Sequence, residues 1–170
     1  MHNILITQKI LIDKYNEINW CLDDNWFQFF KSKKINLVPV GSDFFAKKIL
    51  LIKPRGIIIS GGNDLYDKVK LKENLIREQL EIKILKFAIK NKIPVLAICR
   101  GFQLVGKYFR SKIYKIRKHV KTSHNLLINN NNLAAKISAL KVNSYHNYAI
   151  KNLPRHFNVI VKYKDKSIEI

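Results

Sequence analysis

The sequence predicts an α/β fold: an open, mostly parallel sheet flanked by helices. Two apolar runs and the segment between them carry that reading. Gly56-Ile57-Ile58-Ile59-Ser60 and Pro94-Val95-Leu96-Ala97-Ile98 are short and almost continuously apolar, as strands buried on both faces of a parallel sheet must be. Between them, Glu73 to Asn91 places Leu80, Ile84, Phe87 and Ala88 at three- and four-residue steps, the period of a helix with one buried stripe. Strand, helix, strand in that order is a βαβ unit with a right-handed crossover. A chain of 170 residues has room for one domain, expected to span 1–170.

The remaining elements follow in order. Asn3-Ile4-Leu5-Ile6-Thr7 predicts a first strand. Trp20 to Phe30 carries Trp20, Trp26, Phe27 and Phe30 at mixed helical spacing, with Asp23 and Asp24 where a helix N-terminus favours acids. Ile35 to Val40 predicts a second strand ended by Gly41, and Phe44 to Ile52 a helix stopped before Pro54. In the helix over 73–91, Glu78 with Ile82 and Glu81 with Leu85 suggest a polar face alternating with the apolar one. Gly101 to Phe109 predicts a further helix. From Lys112 the character changes. Tyr114 to Lys121 reads as basic and irregular, and short strands are expected at 126–128, 141–143 and 159–161. The run Asn129 to Asn132 reads as a loop tip.

Composition excludes several classes. At 47% apolar residues the chain can build a core, which argues against disorder. No apolar run approaches the roughly 18 residues of a membrane helix, and the N-terminus lacks the pattern of a signal peptide. Cys21 and Cys99 lie too far apart in sequence for a metal-ligand spacing or a disulfide framework. A cytoplasmic, reducing compartment and no metal are the expectation. The net charge is +20, but only six of the 32 basic residues are arginine. Readers of bases and phosphates rely on arginine forks, and the lysines are spread along the chain, so a nucleic-acid partner is not expected. The heavy use of Lys, Asn and Ile matches AT-rich coding. A basic surface still attracts a phosphorylated small substrate.

Three segments carry the chemistry. In Ala97-Ile98-Cys99-Arg100-Gly101-Phe102-Gln103, an apolar strand ends at a cysteine and a helix begins beyond it. That is the layout of a nucleophile elbow, where a tight strand-to-helix turn needs small neighbours. The helix N-terminus favours the thiolate, and the Arg100 amide is placed to meet an oxyanion. The bland alternative is an inert buried cysteine. Ser60-Gly61-Gly62-Asn63-Asp64 follows another parallel strand. Its glycines let backbone amides approach an anion, and the carboxyl ends of neighbouring parallel strands share one crevice. Val142-Asn143-Ser144-Tyr145-His146-Asn147 offers several donors, or else a helix start capped by Asn143 or Ser144. His119 and His124 fall in the basic segment and are expected on the surface.

Together these residues resemble the class I glutamine amidotransferase-like superfamily, and within it the γ-glutamyl-γ-aminobutyrate hydrolase (peptidase C26) branch. The resemblance rests on Ile6-Thr7-Gln8, Ser60 to Asp64, Arg77 with Glu81, Ile98 to Gln103, Asn143 to His146 with Ala149-Ile150, and Ser167-Ile168-Glu169. It implies a flavodoxin-like fold, Cys99 as nucleophile, and the amides of Gly62 and Arg100 as oxyanion hole. It also implies that Gly61, Asn63, Gln103, Asn143, Ser144, Tyr145 and His146 bind the glutamyl group. No cofactor is implied. The implied partner is a small γ-glutamyl substrate, with a partner chain or synthase as a further option.

One departure stands out. The family completes its triad with a His-x-Glu pair, and none follows Cys99: His119, His124, His146 and His156 are followed two residues later by Lys121, Leu126, Tyr148 and Asn158. Glu169 and His146 match positions outside that triad. The chain is therefore expected to lack the family's final strand and helix. A fragment, a partner-completed protein and an inactive relative are the three readings this leaves. A missing strand would also expose a sheet edge.

Overall fold

The computed structural model describes residues 1–42, 48–49, 51–128 and 141–169. The chain forms two compact units, Met1–Leu104 and Val105–Ile170. The elements of the first are β1 (His2–Thr7), β2 (Lys9–Ile12), β3 (Ile18–Cys21), α1 (Asp24–Phe30), β4 (Ile35–Val40), β5 (Gly56–Ile59), α2 (Lys72–Lys90) and β6 (Val95–Ala97). Helix α3 (Arg100–Tyr108) begins in the first unit.

The main sheet has the order β4-β1-β5-β6, and all its pairings are parallel. Thr7 aligns with Val40, Ile6 with Ile58, and Ile59 with Ala97. The carboxyl ends of β1, β5 and β6 therefore finish at one edge, and the loops carrying Gln8, Ser60 to Asn63 and Cys99 leave from it. Leu5, Ile6, Ile57 and Ile59 are among the most buried side chains, and Leu80, Ile84, Leu85 and Ala88 bring the apolar stripe of α2 into the same core. This is the open parallel sheet flanked by helices that the apolar runs predict. No described helix is long and apolar enough to cross a membrane.

Three expectations need correcting. The segment 20–30 is not one helix. Trp20 lies in β3, which pairs antiparallel with β2 (Ile10 opposite Trp20), and the helix begins only at Asp24. Asp23 caps it by accepting the Asn25 N–H at 2.9 Å, so the acids mark the helix start and the aromatic spacing misleads. Strand β6 is not buried on both faces. It lies at the sheet edge, and Leu96 is 57% exposed. Glu78 and Glu81 do not face solvent: both are buried. The expected helix over 44–52 lies partly outside the described residues, of which 48, 49, 51 and 52 are helical. The Asn129–Asn132 loop tip lies outside them altogether.

The second unit consists of antiparallel pairs. They are β7 (Ile113–Lys115) with β11 (Tyr148–Ile150), β8 (Val120–Asn125) with β10 (Lys141–Tyr145), and β9 (Leu127–Ile128) with β12 (Val161–Lys162). The basic stretch 114–121 is thus strand at its two ends, in β7 and β8, and irregular only over 116–119 between them. Its partners lie far along the chain, and charge at its exposed positions hides the alternation. The same pairing makes Asn143 and Ser144 strand residues and not helix caps.

At the turn from β6 into α3, Gly101 lies against the backbone of β5. A Cβ there would sit 2.1 Å from the Ile59 carbonyl oxygen. Backbone cannot move aside as a side chain does, so Gly101→Ala is expected to cost about 3 kcal/mol or more, the top of the overpacking range. Urea unfolding of the variant measures this directly. A loss below about 0.5 kcal/mol, the size of an ordinary surface change, would mean that β5 and α3 do not meet this closely.

Candidate active site

Cys99 sits between β6 and α3 with φ of +52°, and its side chain is exposed. A non-glycine residue in the left-handed region costs of order 1–3 kcal/mol and persists only where its neighbours enforce it. Here they do. The Ile98 N–H donates to the Ile59 carbonyl at 2.9 Å, tying the residue before Cys99 to β5. The Gly101 N–H donates back to the Ile98 carbonyl at 2.9 Å, and the Gln103 N–H to the Cys99 carbonyl at 3.2 Å. Arg100 opens α3, so its amide is among the first-turn donors with no acceptor inside the helix. Gln103 is buried one turn further on. The tight strand-to-helix turn expected from the sequence is present, and it lifts the Cys99 thiol into solvent.

The glycine loop lies beside it. A Cβ on Gly61 would be 3.3 Å from Cys99 Cβ and 3.9 Å from Sγ. The conformation of this loop is set from behind by Arg77. One guanidinium nitrogen donates to the Gly62 carbonyl (2.6 Å) and Asn63 Oδ1 (3.0 Å). The other donates to the carbonyls of Ser60 (2.9 Å) and Gly61 (3.0 Å) and to Ser60 Oγ (3.1 Å). Three consecutive carbonyls therefore point at one cation. Trans peptides hold C=O and N–H on opposite sides, so the amides of Gly61, Gly62 and Asn63 face away from Arg77. None of those three amides meets an acceptor among the described residues. Gly62 carries the turn with φ of +82°, a conformation glycine adopts freely.

Asn63 has a second task. Its side-chain oxygen accepts the Ile10 N–H and its amide donates to the Ile10 carbonyl, both at 2.9 Å, so it pins the loop to β2 as a strand partner would. Its side chain is thus engaged with protein, and its backbone N–H is what it offers a ligand. Thr7 joins the opposite end: its hydroxyl donates to Glu81 Oε1 at 2.7 Å while its oxygen accepts the Ser60 N–H at 3.0 Å.

Glu81 holds the charges together. It accepts from Arg77 Nε at 3.0 Å and pairs through its other oxygen with Arg100. Arg77, Glu81 and Arg100 are all essentially inaccessible. Burial lowers both arginines to about 9; the neighbouring Cys99 opposes the fall at Arg77. For Arg100, Arg77 lowers it further, and Glu78 and Asp64 oppose the fall. Both remain cations at neutral pH. Asn74, Arg77, Glu78 and Glu81 fall at helical spacing on α2, beside its apolar stripe. Asn74 donates to the Val69 carbonyl at 2.8 Å and Glu78 accepts the Tyr66 N–H at 3.0 Å. A buried polar stripe on α2 thus organises the whole stretch from Ser60 to Val69.

A cavity of about 520 Å³ opens next to the glycine loop. Its lining runs from Ser60, Gly61, Gly62 and Ile98 to Lys9, and on to Trp26 and Phe29 of α1.

The other expected site residues lie in the second unit. Ser144 is buried, and its hydroxyl donates to the His119 carbonyl at 2.6 Å. Asn143 and Tyr145 are exposed. His146 Nε2 lies 3.0 Å from His119 Nδ1, and His119 Nε2 lies 2.7 Å from Asp165 Oδ2. His124 Nδ1 faces Glu169 at 3.2 Å and its ring stacks on Tyr163. The surface expectation for His119 and His124 is therefore wrong, since both are buried. Strand β8 carries His124, and the network of Asp165, His146 and Glu169 supplies polar partners that let imidazoles be buried. Ligand atoms of His119, His124 and Glu169 lie within 4.8 Å of one another, close enough to converge on a cation. Sequence reading did not single out Asp165, and it quoted Thr7 without a role. Asp165 has no motif around it, and Thr7 shows its role only through contacts with Glu81 and Ser60.

Comparison with known proteins agrees with this geometry. The family model described as glutamine amidotransferase class-I matches residues 10–170. The chain is 31% identical over 172 residues to the γ-glutamyl-CDP-amidate hydrolase of Campylobacter jejuni, covering 96% of this chain and 80% of that protein. It is 25% identical over 162 residues to aminodeoxychorismate synthase component 2 of Escherichia coli, covering 88% and 75%. A glutamine amidotransferase structure from Thermotoga maritima superposes with a TM-score of 0.73 at 16% identity, covering 98% of this chain and 69% of that one.

The histidine network makes the second unit sensitive to acid. Burial lowers the pKa of His146, and the neighbouring imidazoles His119 and His124 add to this against the pull of Glu169 and Asp165. Burial alone would raise the Asp165 carboxyl, but hydrogen bonds from Ser167 and His119 outweigh it, and the net shift is downward. Both groups hold fewer protons folded than unfolded, so stability falls as pH falls. The His146 share is present above its unfolded value near 6.5 and is lost below it. The Asp165 share is lost below about 3.8. Urea midpoints measured between pH 7.5 and 3 should fall in those two windows, and His146→Asn should remove the first. A midpoint flat from pH 7 to 5 in the parent protein would contradict this.

Proposed function

The chain belongs to the class-I glutamine amidotransferase family, and on that footing we propose that it hydrolyses a γ-glutamyl amide or phosphoramidate through Cys99. The observation that carries the proposal is the exposed, left-handed Cys99 beside a glycine loop whose amides are turned away from Arg77.

The Cys99 sulfur attacks the γ-carbonyl carbon, and the carbonyl oxygen becomes an oxyanion held by the amides of Gly62 and Arg100. The C–N bond breaks, the nitrogen departs with a proton, and a γ-glutamyl thioester remains. Water then adds to the thioester, the C–S bond breaks, glutamate leaves, and the thiol regains its proton. Gly61 and Asn63 offer further amides to the glutamyl carboxylate. Gln103 joins the proposed binding set by family resemblance. No metal or organic cofactor enters the cycle. The Campylobacter relative's name describes a phosphoramidate substrate, which supports including that class.

His2 is the one histidine in residues 1–104, and it starts β1 at the opposite edge of the sheet. A second reading therefore stands beside the first: a protein that acylates and completes turnover only with a partner chain. It is favoured by a relative named as a component of a synthase.

Glutamate release from a panel of γ-glutamyl amides, with Cys99→Ser as control and intact-mass detection of an adduct on Cys99, decides between them. Turnover abolished by Cys99→Ser, with a drop of at least about 10³-fold, is expected under the first reading. An adduct without turnover supports partner completion. Folded protein with neither adduct nor turnover overturns both.

A further inference from the structure

We propose that the second unit binds a divalent late transition metal of the zinc class through His119, His124 and Glu169, and that the ion holds this unit together. The site lies wholly within Val105–Ile170 and uses no residue of the proposed γ-glutamyl cycle.

Donor chemistry is the first argument. His119 and His124 are buried, and the Glu169 side chain is only 14% exposed. One ligand atom from each lies within 4.8 Å of the others. Two imidazoles and a carboxylate suit a late transition metal, whereas magnesium and calcium take oxygen ligands. Two ligand atoms on one zinc ion sit at most about 4.2 Å apart, twice a bond of about 2.1 Å, so the trio closes by roughly half an ångström on binding. A fourth position is left for water.

An orphaned nitrogen is the second argument. His124 Nδ1 lies 3.2 Å from Glu169 Oε1. An ionised carboxylate only accepts, so Nδ1 carries the proton and Nε2 the lone pair. That Nε2 is buried and has no hydrogen-bond partner among the described residues. Buried polar atoms are almost always satisfied, and a bare imidazole lone pair calls for a proton donor or a metal. The ring is held on two sides. It stacks on Tyr163 with centroids 3.9 Å apart and meets His119 edge-on at 4.2 Å.

The outer partners are the third argument. Histidines that bind metals are oriented by a carboxylate on the remaining ring N–H. Glu169 does this for His124, and Asp165 does it for His119, whose Nε2 lies 2.7 Å from Asp165 Oδ2. The lone pair of His119 is therefore on Nδ1, where His146 Nε2 donates to it at 3.0 Å. Metal binding exchanges that hydrogen bond for a coordinate bond. Ser167 fixes both acids: its N–H donates to Asp165 Oδ1 at 2.9 Å and its hydroxyl to Glu169 Oε1 at 3.3 Å. Glu169 Oε2 is the oxygen left to coordinate.

The unit also has a use for such an ion. Its buried apolar side chains, among the described residues, are Leu126, Ala149, Ile150, Val161 and Ile168, and its sheets are two-stranded. Isolated strand pairs are marginal, and small units with thin cores are commonly stapled by a metal. The ligands join strand β8 and the residue before it to the C-terminal segment.

The test is a Zn(II) titration of the intact 170-residue chain, stripped with EDTA and read by competition with a chromogenic chelator and by melting temperature. One equivalent is expected to bind, and zinc about a hundredfold above its Kd should raise Tm by about 5 °C or more. Glu169→Gln and His124→Gln should each weaken binding at least about 100-fold, and Asp165→Asn about tenfold, as the loss of an outer partner does. Glu169→Gln keeps the shape and one oxygen of the side chain, so it carries the test even if His124→Gln does not fold. The double variant Cys21→Ser, Cys99→Ser and the exposed-site variant His156→Asn should bind zinc as the parent does, and magnesium should not compete. No stoichiometric binding, binding unchanged in Glu169→Gln, or binding lost with the two cysteines overturns the proposal. The readouts are bound metal and unfolding, so a failure of γ-glutamyl turnover leaves them unaffected.

Discussion

The structure of the first unit depends on one buried cation. Arg77 spends its donors on the three carbonyls of Ser60, Gly61 and Gly62, on two side-chain oxygens and on Glu81. A guanidinium out of water is tolerated only when its donors are saturated and a counter-charge is close. The glycine loop supplies the acceptors and Glu81 the charge. Removing one partner of such a pair costs about 3–5 kcal/mol, so the loop is held by a strong constraint and not by the weak preferences of a glycine-rich segment. Because carbonyls gather on the Arg77 side, amides gather on the other. Ligand-facing polarity is set by a residue the ligand need never touch.

The same constraint links the two halves of the elbow. Glu81 pairs with Arg77 behind the glycine loop and with Arg100 at the start of α3. A single carboxylate on α2 thus sits between the residues that follow β5 and β6. Ile59 adds a fixed point of backbone. Its carbonyl accepts from Ile98 and packs against Gly101, which leaves Cys99 no room except the strained, outward conformation it adopts. Strain at Cys99, burial of two arginines and the absence of a side chain at Gly101 are consequences of one packing arrangement.

Much of this was legible in the sequence. Continuous apolar runs at 56–60 and 94–98, with a helix-period segment between them, predict parallel strands, and the elbow at Cys99 is a local pattern with a local cause. What sequence could not show was partnership over distance. Glu78 and Glu81 read as a solvent face because carboxylates usually are, and only the loop they hold explains their burial. His124 read as a surface residue because its strand has its partner in β10, beyond residue 140, and His119 because it directly precedes that strand. Trp20 read as helical because α1 follows it so closely, whereas its strand is made by pairing with Ile10. Leu96 is apolar as a core residue would be, yet its strand lies at the edge of the sheet. In each case a long-range contact decided what local propensity could not.

The central claim is that Arg77 acts by aiming the glycine-loop amides at the oxyanion. The direct test is the rate at which Cys99 is acylated by a γ-glutamyl amide in Arg77→Lys, compared with alkylation of the same thiol by iodoacetamide. Lysine keeps the charge but cannot hold three carbonyls in a planar fork. The account predicts acylation slowed about 10²-fold or more, the loss seen when an oxyanion donor is removed, with alkylation changed less than about twofold and the protein still folded by circular dichroism. Acylation at the parent rate in folded Arg77→Lys would contradict it, because the loop would then present its amides without the clamp.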